Sequence, residues 1–336
     1  MLTGRRGVGK TALMRHAFEG MDKAYLFVSR DSEALLCRKF QKALAEQLGI
    51  TACGAASSLG ELFALVMRES LRRHFTLVID EFQDLERCSG AVFSHMQDIW
   101  DRYHASSRLN LVACGSGVMQ MRRIFGGRSE PLFGRQTAWI TLRPFSTDLI
   151  KKILRDANPN FTSEDLLCLF MLTGGVAKHV GLLMDAGCAM KDAMLDCACR
   201  MDSFFIAEGF RLLSSQFQGE YSAYFSIMQL IARGVSRRSG IDSAMHKDTG
   251  AFLRLLDERY EMIRKIRPIL SRPGGKTSAY DIRDEFLRFW LRFICPMQPE
   301  IEMGRLDIVR RNMAKHYEEF SLRTLERYFL RKLMET

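Results

Sequence analysis

Residues 4–11 read Gly-Arg-Arg-Gly-Val-Gly-Lys-Thr, a complete G-x-x-x-x-G-K-[ST] pattern, and no other stretch limits the fold as strongly. Glycines at these places let the backbone curl until successive N–H groups converge on phosphate oxygens, with a helix N-terminus behind them. The residues expected to line the phosphates are Gly4, Arg5, Arg6, Gly7, Val8, Gly9, Lys10, Thr11 and Ala12. Lys10 is placed for the β and γ phosphates, and the Thr11 hydroxyl for Mg²⁺. An apolar strand normally feeds such a loop, but only Met1, Leu2 and Thr3 precede it here. Those three are either the stub of that strand or all that is left of it.

The stretch after the loop alternates short apolar runs with helical patterns. Residues 24–29, 75–79, 109–114 and 138–142 read as strands, and residues 10–19, 32–48, 58–74 and 91–104 as helices. Alternation of this kind predicts a parallel sheet with helices on both faces. Ligands of such sheets bind at the carboxyl ends of the strands, where Gly4, Asp80 and Ser116 all fall. Beyond residue 145 the strands stop. Residues 147–156, 163–172 and 177–188 read as helices, with Gly174-Gly175 between the last two and a boundary near 192–201. Residues 221–282 have the order of a winged helix-turn-helix. Helices at 224–232, 239–245 and 249–259 precede strands at 262–269 and 278–282, joined by the turn Arg272-Pro273-Gly274-Gly275-Lys276. Residues 284–295 form an aromatic amphipathic helix whose rings are expected in the core. The rest of the chain reads as helical and charged.

Two acidic residues give the loop its chemical context. The run 75–79 ends in Asp80-Glu81, a Walker B pattern. Asp80 is expected to hold Mg²⁺ together with Thr11, and Glu81 to polarise the attacking water. Ser116, at the end of the next strand, is placed to sense the γ-phosphate, the alternative being a turn serine between glycines. Arg135 is a candidate for stabilising charge on the transferred phosphoryl group, weighed against a solvated loop arginine. Lys10, Glu81, Ser116 and Arg135 are thus the catalytic candidates. Lys178 and His179 are weaker candidates for approaching the nucleotide.

Composition narrows the function classes. A chain of 336 residues with 47% hydrophobic and 26% charged residues is globular, with room for two or three domains at roughly 100–200 residues each. No uncharged apolar run reaches the ~18 residues of a membrane span, and no secretory signal pattern opens the chain. Nine scattered cysteines, with Cys197 and Cys199 as one C-x-C, read as reduced thiols in a cytoplasmic protein rather than as a metal site. The net charge of +10 favours acidic partners. Residues 233–276 hold eleven Lys and Arg against five Asp and Glu, more than half of that excess.

Together these segments resemble the prokaryotic archaeal-type, or DEXX-box, ATPases on the signal-transduction (STAND) side of the AAA+-like NTPases. The likeness rests on GRRGVGKTAL, LVIDEFQDL, ACGSGVMQM, PLFGRQTAWITLRPF, TGGVAKHVGLL and YDIRDEFLRFWLRFICP, in that order. It implies an α/β P-loop NTPase sheet, a helical subdomain, a winged helix-turn-helix, and ATP with Mg²⁺ as ligands. Three departures stand out. The strand ahead of the loop is shortened, which leaves an unpaired position in the sheet beside the nucleotide. Ala177 replaces the family's proline. The chain ends where many relatives continue into an endonuclease-like domain, so no nuclease activity is expected.

The expected domains are an ATPase core at 1–145, a helical lid at 146–200, a winged-helix region at 201–295 and a C-terminal helical segment at 296–336. The expected function is slow, Mg-dependent ATP hydrolysis as a conformational switch, with DNA or protein as the winged helix's partner. The alternative is a nucleotide-gated binding module without meaningful turnover.

Overall fold

Five parallel strands form the sheet of Met1–Arg143. They are β1 (Leu2–Thr3), β2 (Lys23–Phe27), β3 (Phe75–Asp80), β4 (Leu109–Gly115) and β5 (Ile140–Thr141), in the order β2-β3-β4-β1-β5. The computed structural model describes residues 1–51, 54, 56–217, 221–266 and 278–335. β3 is buried at all six positions, as a near-continuous apolar run covered on both faces must be. The helix Lys10–Ala17 packs Met14 against Leu2, Val78 and Cys114 on one face. The helices Glu33–Leu48, Leu59–Ser70, Val92–Tyr103 and Val118–Gly126 cover Leu26, Leu77 and Ile79 on the other. At the β2 edge the Gln47 side-chain amide stands in for a neighbouring strand. Its Oε1 accepts from the Tyr25 N–H at 2.9 Å and its Nε2 donates to the Tyr25 carbonyl at 3.5 Å, which blunts an edge open to further pairing.

The expected gap beside the nucleotide loop is not there. Leu2 pairs with Cys114 and Ile140, and Thr3 with Gly115 and Thr141. β1 matches the two residues of β5 and pairs with the last two residues of β4, next to the loop. The helix Val118–Gly126 was not foreseen. The Gly115-Ser116-Gly117 turn that precedes it masks its start.

Pro144–Thr336 is a second compact unit. Its helices are Thr147–Ala157, Ser163–Thr173, Ala177–Asp185, Lys191–Cys199, Phe204–Gln216, Tyr221–Ala232, Arg238–Met245, Gly250–Arg254, Glu285–Phe289, Gln298–Glu302 and Leu306–Glu335. Single π-helical turns extend two of these, at Leu255–Arg259 and Trp290–Ile294. β6 (Ile263–Ile266) and β7 (Ala279–Ile282) form an antiparallel hairpin, and Arg237 adds an isolated bridge to Ala279. One apolar core runs from Ile150 to Tyr328 and takes in Phe286, Phe289, Trp290 and Phe293. Residues on both sides of positions 200 and 295 contribute to this cluster.

The boundary expected at 192–201 is occupied by the helix Lys191–Cys199. Its first N–H donates to Asp165 Oδ1 at 2.6 Å, a distant contact that local pattern does not reveal. The turn Arg272-Pro273-Gly274-Gly275-Lys276, with Arg267, the strand residues beyond 266 and Cys53, lies outside the described residues. Among the described residues no helix is long and apolar enough to cross a membrane.

Candidate functional site

β1 delivers the chain to the loop at Gly4. A Cβ on Gly4 would lie 2.6 Å from the Leu142 carbonyl oxygen, so only glycine lets β1 pass β5 this closely. Gly7 (φ 83°) and Gly9 (φ 100°) take left-handed backbone, which other L residues rarely adopt. Val8 is buried beneath the loop, whereas Arg6 and Ala12 are exposed. Lys10, also buried, folds its ammonium back onto the loop. Its Nζ donates to the Gly4 carbonyl at 2.7 Å and the Arg5 carbonyl at 3.3 Å.

Register brings the acidic strand end to the same place. Thr11 Oγ1 donates to Asp80 Oδ2 at 3.4 Å. The Glu81 N–H donates to Asp80 Oδ1 at 3.0 Å. Tyr25, on β2, also donates its hydroxyl to Asp80 Oδ2. Burial, reinforced by the Asp80 carboxylate, pushes the Tyr25 phenol above its ordinary pKa, so it serves as a donor. The Cys114 thiol on β4 is pushed up by burial first and by Asp80 next, while Lys10 draws it down.

Glu81 has a left-handed backbone, φ 54°, a conformation that costs a non-glycine residue about 1–3 kcal/mol. Its carboxylate accepts from the Ser116 hydroxyl at 2.9 and 2.7 Å, from the Ser116 N–H at 3.2 Å and from Gln83 Nε2 at 2.7 Å. Gln83 rests on the Gly115-Ser116-Gly117 turn. A Cβ on Gly115 would meet Gln83 Oε1 at 2.3 Å.

Of the candidate residues, Gly4, Arg5 and Lys10 are linked by one set of these contacts, and Thr11, Asp80, Glu81 and Ser116 by another. Arg135 engages other partners. It makes a two-point bond to Asp101, Nε at 2.9 Å and Nη2 at 2.6 Å, and its Nη1 donates to the Pro131 and Phe133 carbonyls. Lys178 sits 4.1 Å over the Phe204 ring, and His179 is buried against Phe286. Two residues were missed. Gln83 was legible, two places after Glu81. Tyr25 was not, because only the β2–β3 register brings it to Asp80.

The donor set suits magnesium. A hydroxyl and a carboxylate converge within 3.4 Å, and both are the hard oxygen ligands this ion prefers, with phosphate oxygens and waters to complete the shell.

A family profile described as an ATPase domain predominantly from Archaea matches residues 1–183. The uncharacterized protein MJECL04 of Methanocaldococcus jannaschii is 26% identical over 311 residues, which cover 92% of this chain and 66% of that protein. This chain spans just under two thirds of that relative's length. The solved Walker-type ATPase PABY2304 of Pyrococcus abyssi is similar in fold, with a TM-score of 0.61 at 18% identity over 87% of this chain and 90% of that one. The matched profile spans the loop, the acidic strand end and the Ser116 turn, and the chain belongs to this family of ATPase domains found predominantly in Archaea.

Proposed function

We propose that this protein binds ATP with Mg²⁺ at the Gly4–Thr11 loop and hydrolyses it slowly, as a conformational switch. The carrying observation is the convergence of Thr11 on Asp80, with Glu81 beside it in the grip of Ser116. The loop amides and Lys10 bind the phosphates, and Thr11 and Asp80 hold the cation. Magnesium bound there supplies a Lewis acid that neutralises phosphoryl oxygens. Glu81 orients and accepts a proton from water, and Ser116 positions Glu81. Arg135 is left out, because its guanidinium is already engaged by Asp101.

The experiment is a nucleotide titration and a steady-state ATPase assay on wild type and Glu81→Gln. Turnover that Glu81→Gln loses while it still binds nucleotide supports the switch. Binding with no turnover in either protein supports the alternative, a nucleotide-gated module. Its specific support is that three donors already hold the Glu81 carboxylate.

The coupled element in this reading is a winged helix-turn-helix at residues 221–282. Three helices followed by the β6–β7 hairpin, with Arg237 bridging to Ala279, are its support. Its partner is DNA or protein. Arg238 and Arg264 are tied to aspartates, while Arg233, Arg237 and Arg254 are exposed. If DNA is bound, phosphate contacts dominate and affinity falls steeply with salt.

A further inference from the structure

Tyr25 has no part in the reading above, yet its hydroxyl meets the oxygen that Thr11 also reaches. Its placement follows from register. On β2 it lies opposite Val78, and Phe27 lies opposite Asp80. Alternate residues of a strand share a face, so Tyr25, Val78 and Asp80 point to the same side of the sheet. Diagonal neighbours on adjacent strands are roughly 7–8 Å apart, within reach of an aromatic side chain. The ring packs against the cluster of Leu2, Met14, Val78 and Cys114, which fixes the phenol's direction.

We propose that Tyr25 is a positioning residue for the metal side of the nucleotide site. Its hydroxyl holds the Asp80 carboxylate so that Oδ2 stays turned toward the Thr11 hydroxyl. Asp80 is then gripped at both ends, with Oδ1 taken by the Glu81 N–H and Oδ2 by the phenol. Without the phenol, the main-chain bond, the long contact from Thr11 and the weak Cys114 thiol remain, and the carboxylate is freer to turn. Partners that orient a metal-binding carboxylate commonly cost 10–100-fold in metal affinity when removed. Nucleotide phosphates are assigned to the loop amides and Lys10, whereas the Tyr25 hydroxyl bonds to the Asp80 carboxylate. The tyrosine should therefore affect the cation and leave nucleotide binding without the cation alone. This inference rests on the proposed binding of ATP with Mg²⁺.

The test is a fluorescent-ADP titration of the full chain in MgCl₂ and in EDTA, comparing wild type with Tyr25→Phe, which keeps the ring and removes only the hydroxyl. Manganese affinity of the ADP-loaded proteins, read by electron paramagnetic resonance, supplies a second readout. Tyr25→Phe should keep its Kd in EDTA within about 2-fold and lose roughly 10-fold in both the Mg²⁺ enhancement and Mn²⁺ affinity. Tyr25→Leu, which also fills the apolar niche, should show the same loss and serves if Tyr25→Phe is poorly folded. An unchanged Mg²⁺ enhancement in Tyr25→Phe overturns the inference. So does tighter Mn²⁺ binding, which would make the phenol a competitor of the cation. Wild type that binds no nucleotide, or binds it equally with and without Mg²⁺, overturns the proposed function itself and this inference with it.

Discussion

The Ser116 hydroxyl lies 2.9 and 2.7 Å from the two carboxylate oxygens of Glu81, and the Ser116 N–H reaches the second of them at 3.2 Å. The tip of one strand thus holds the acidic residue at the tip of its neighbour. Gln83 completes the grip from the turn that follows Glu81.

Ser116→Ala should therefore slow ATP turnover and leave nucleotide affinity within about 3-fold of wild type. A hydrogen bond to a charged group contributes about 1.5–3 kcal/mol, so the loss in kcat should be on the order of 10- to 100-fold. Steady-state kinetics beside a binding titration read the two effects separately. Equal losses in affinity and turnover would mean that Ser116 maintains the loop and does not position Glu81.

Gly4→Ala tests the close passage of the loop over β5. The new methyl would sit 2.6 Å from the Leu142 carbonyl oxygen, and backbone has to move because no flexible side chain can yield there. Overpacking of this kind costs about 1–3 kcal/mol. Nucleotide affinity should drop at least ~10-fold, because the displaced amides no longer converge on one set of phosphates. Thermal melting and a nucleotide titration check both parts.

The second unit contains a buried ionic cluster with a directional prediction. Arg327 on the C-terminal helix donates from Nε to both oxygens of Glu285, at 2.6 and 2.9 Å, from Nη1 to Asp281 and from Nη2 to the Arg283 carbonyl at 3.0 Å. Burial pushes Glu285 up to about 7, against the pull of Arg288, Arg264 and Arg331. Removing one partner of a buried pair costs about 3–5 kcal/mol, whereas replacing both by apolar residues is often close to neutral. Arg327→Leu should lower the urea midpoint sharply, and Glu285→Leu/Arg327→Leu should recover more than half of the loss. A double variant as weak as the single one would count against this account.

Asp165 gives a pH dependence. Burial opposes its ionisation, but the Thr162 and Lys191 N–H groups and the Thr162 hydroxyl outweigh it and hold the carboxyl below the ordinary range. A depressed carboxylate contributes stability above its unfolded pKa of about 3.9 and loses that contribution as pH falls through the folded value. Asp165→Asn should cost about 1 kcal/mol near neutrality, as helix caps do. The difference in melting temperature from wild type should shrink as pH drops below about 4. A difference that stays constant from neutrality into acid would show that packing, and not charge, is lost.

The local signals were strong where the backbone itself carries the constraint. The loop was legible because residues other than glycine rarely take the φ of Gly7 and Gly9, and β3 because FTLVI is apolar but for Thr76 before Asp80. The helix Ser163–Thr173 starts on a capping box between Thr162 and Asp165, which are only three residues apart. Membership of an ATPase family follows from such short patterns, since each needs only neighbours in the chain. What they leave undecided depends on register and long-range pairing. That two residues of β1 fill the sheet is decided by Cys114, Gly115, Ile140 and Thr141, all more than a hundred positions away. Arg135 meets Asp101, and Tyr25 meets Asp80, only after strands and helices have been laid side by side. A hydrogen bond between distant segments has no local periodicity to betray it, so the partners of these side chains belong to the tertiary structure alone.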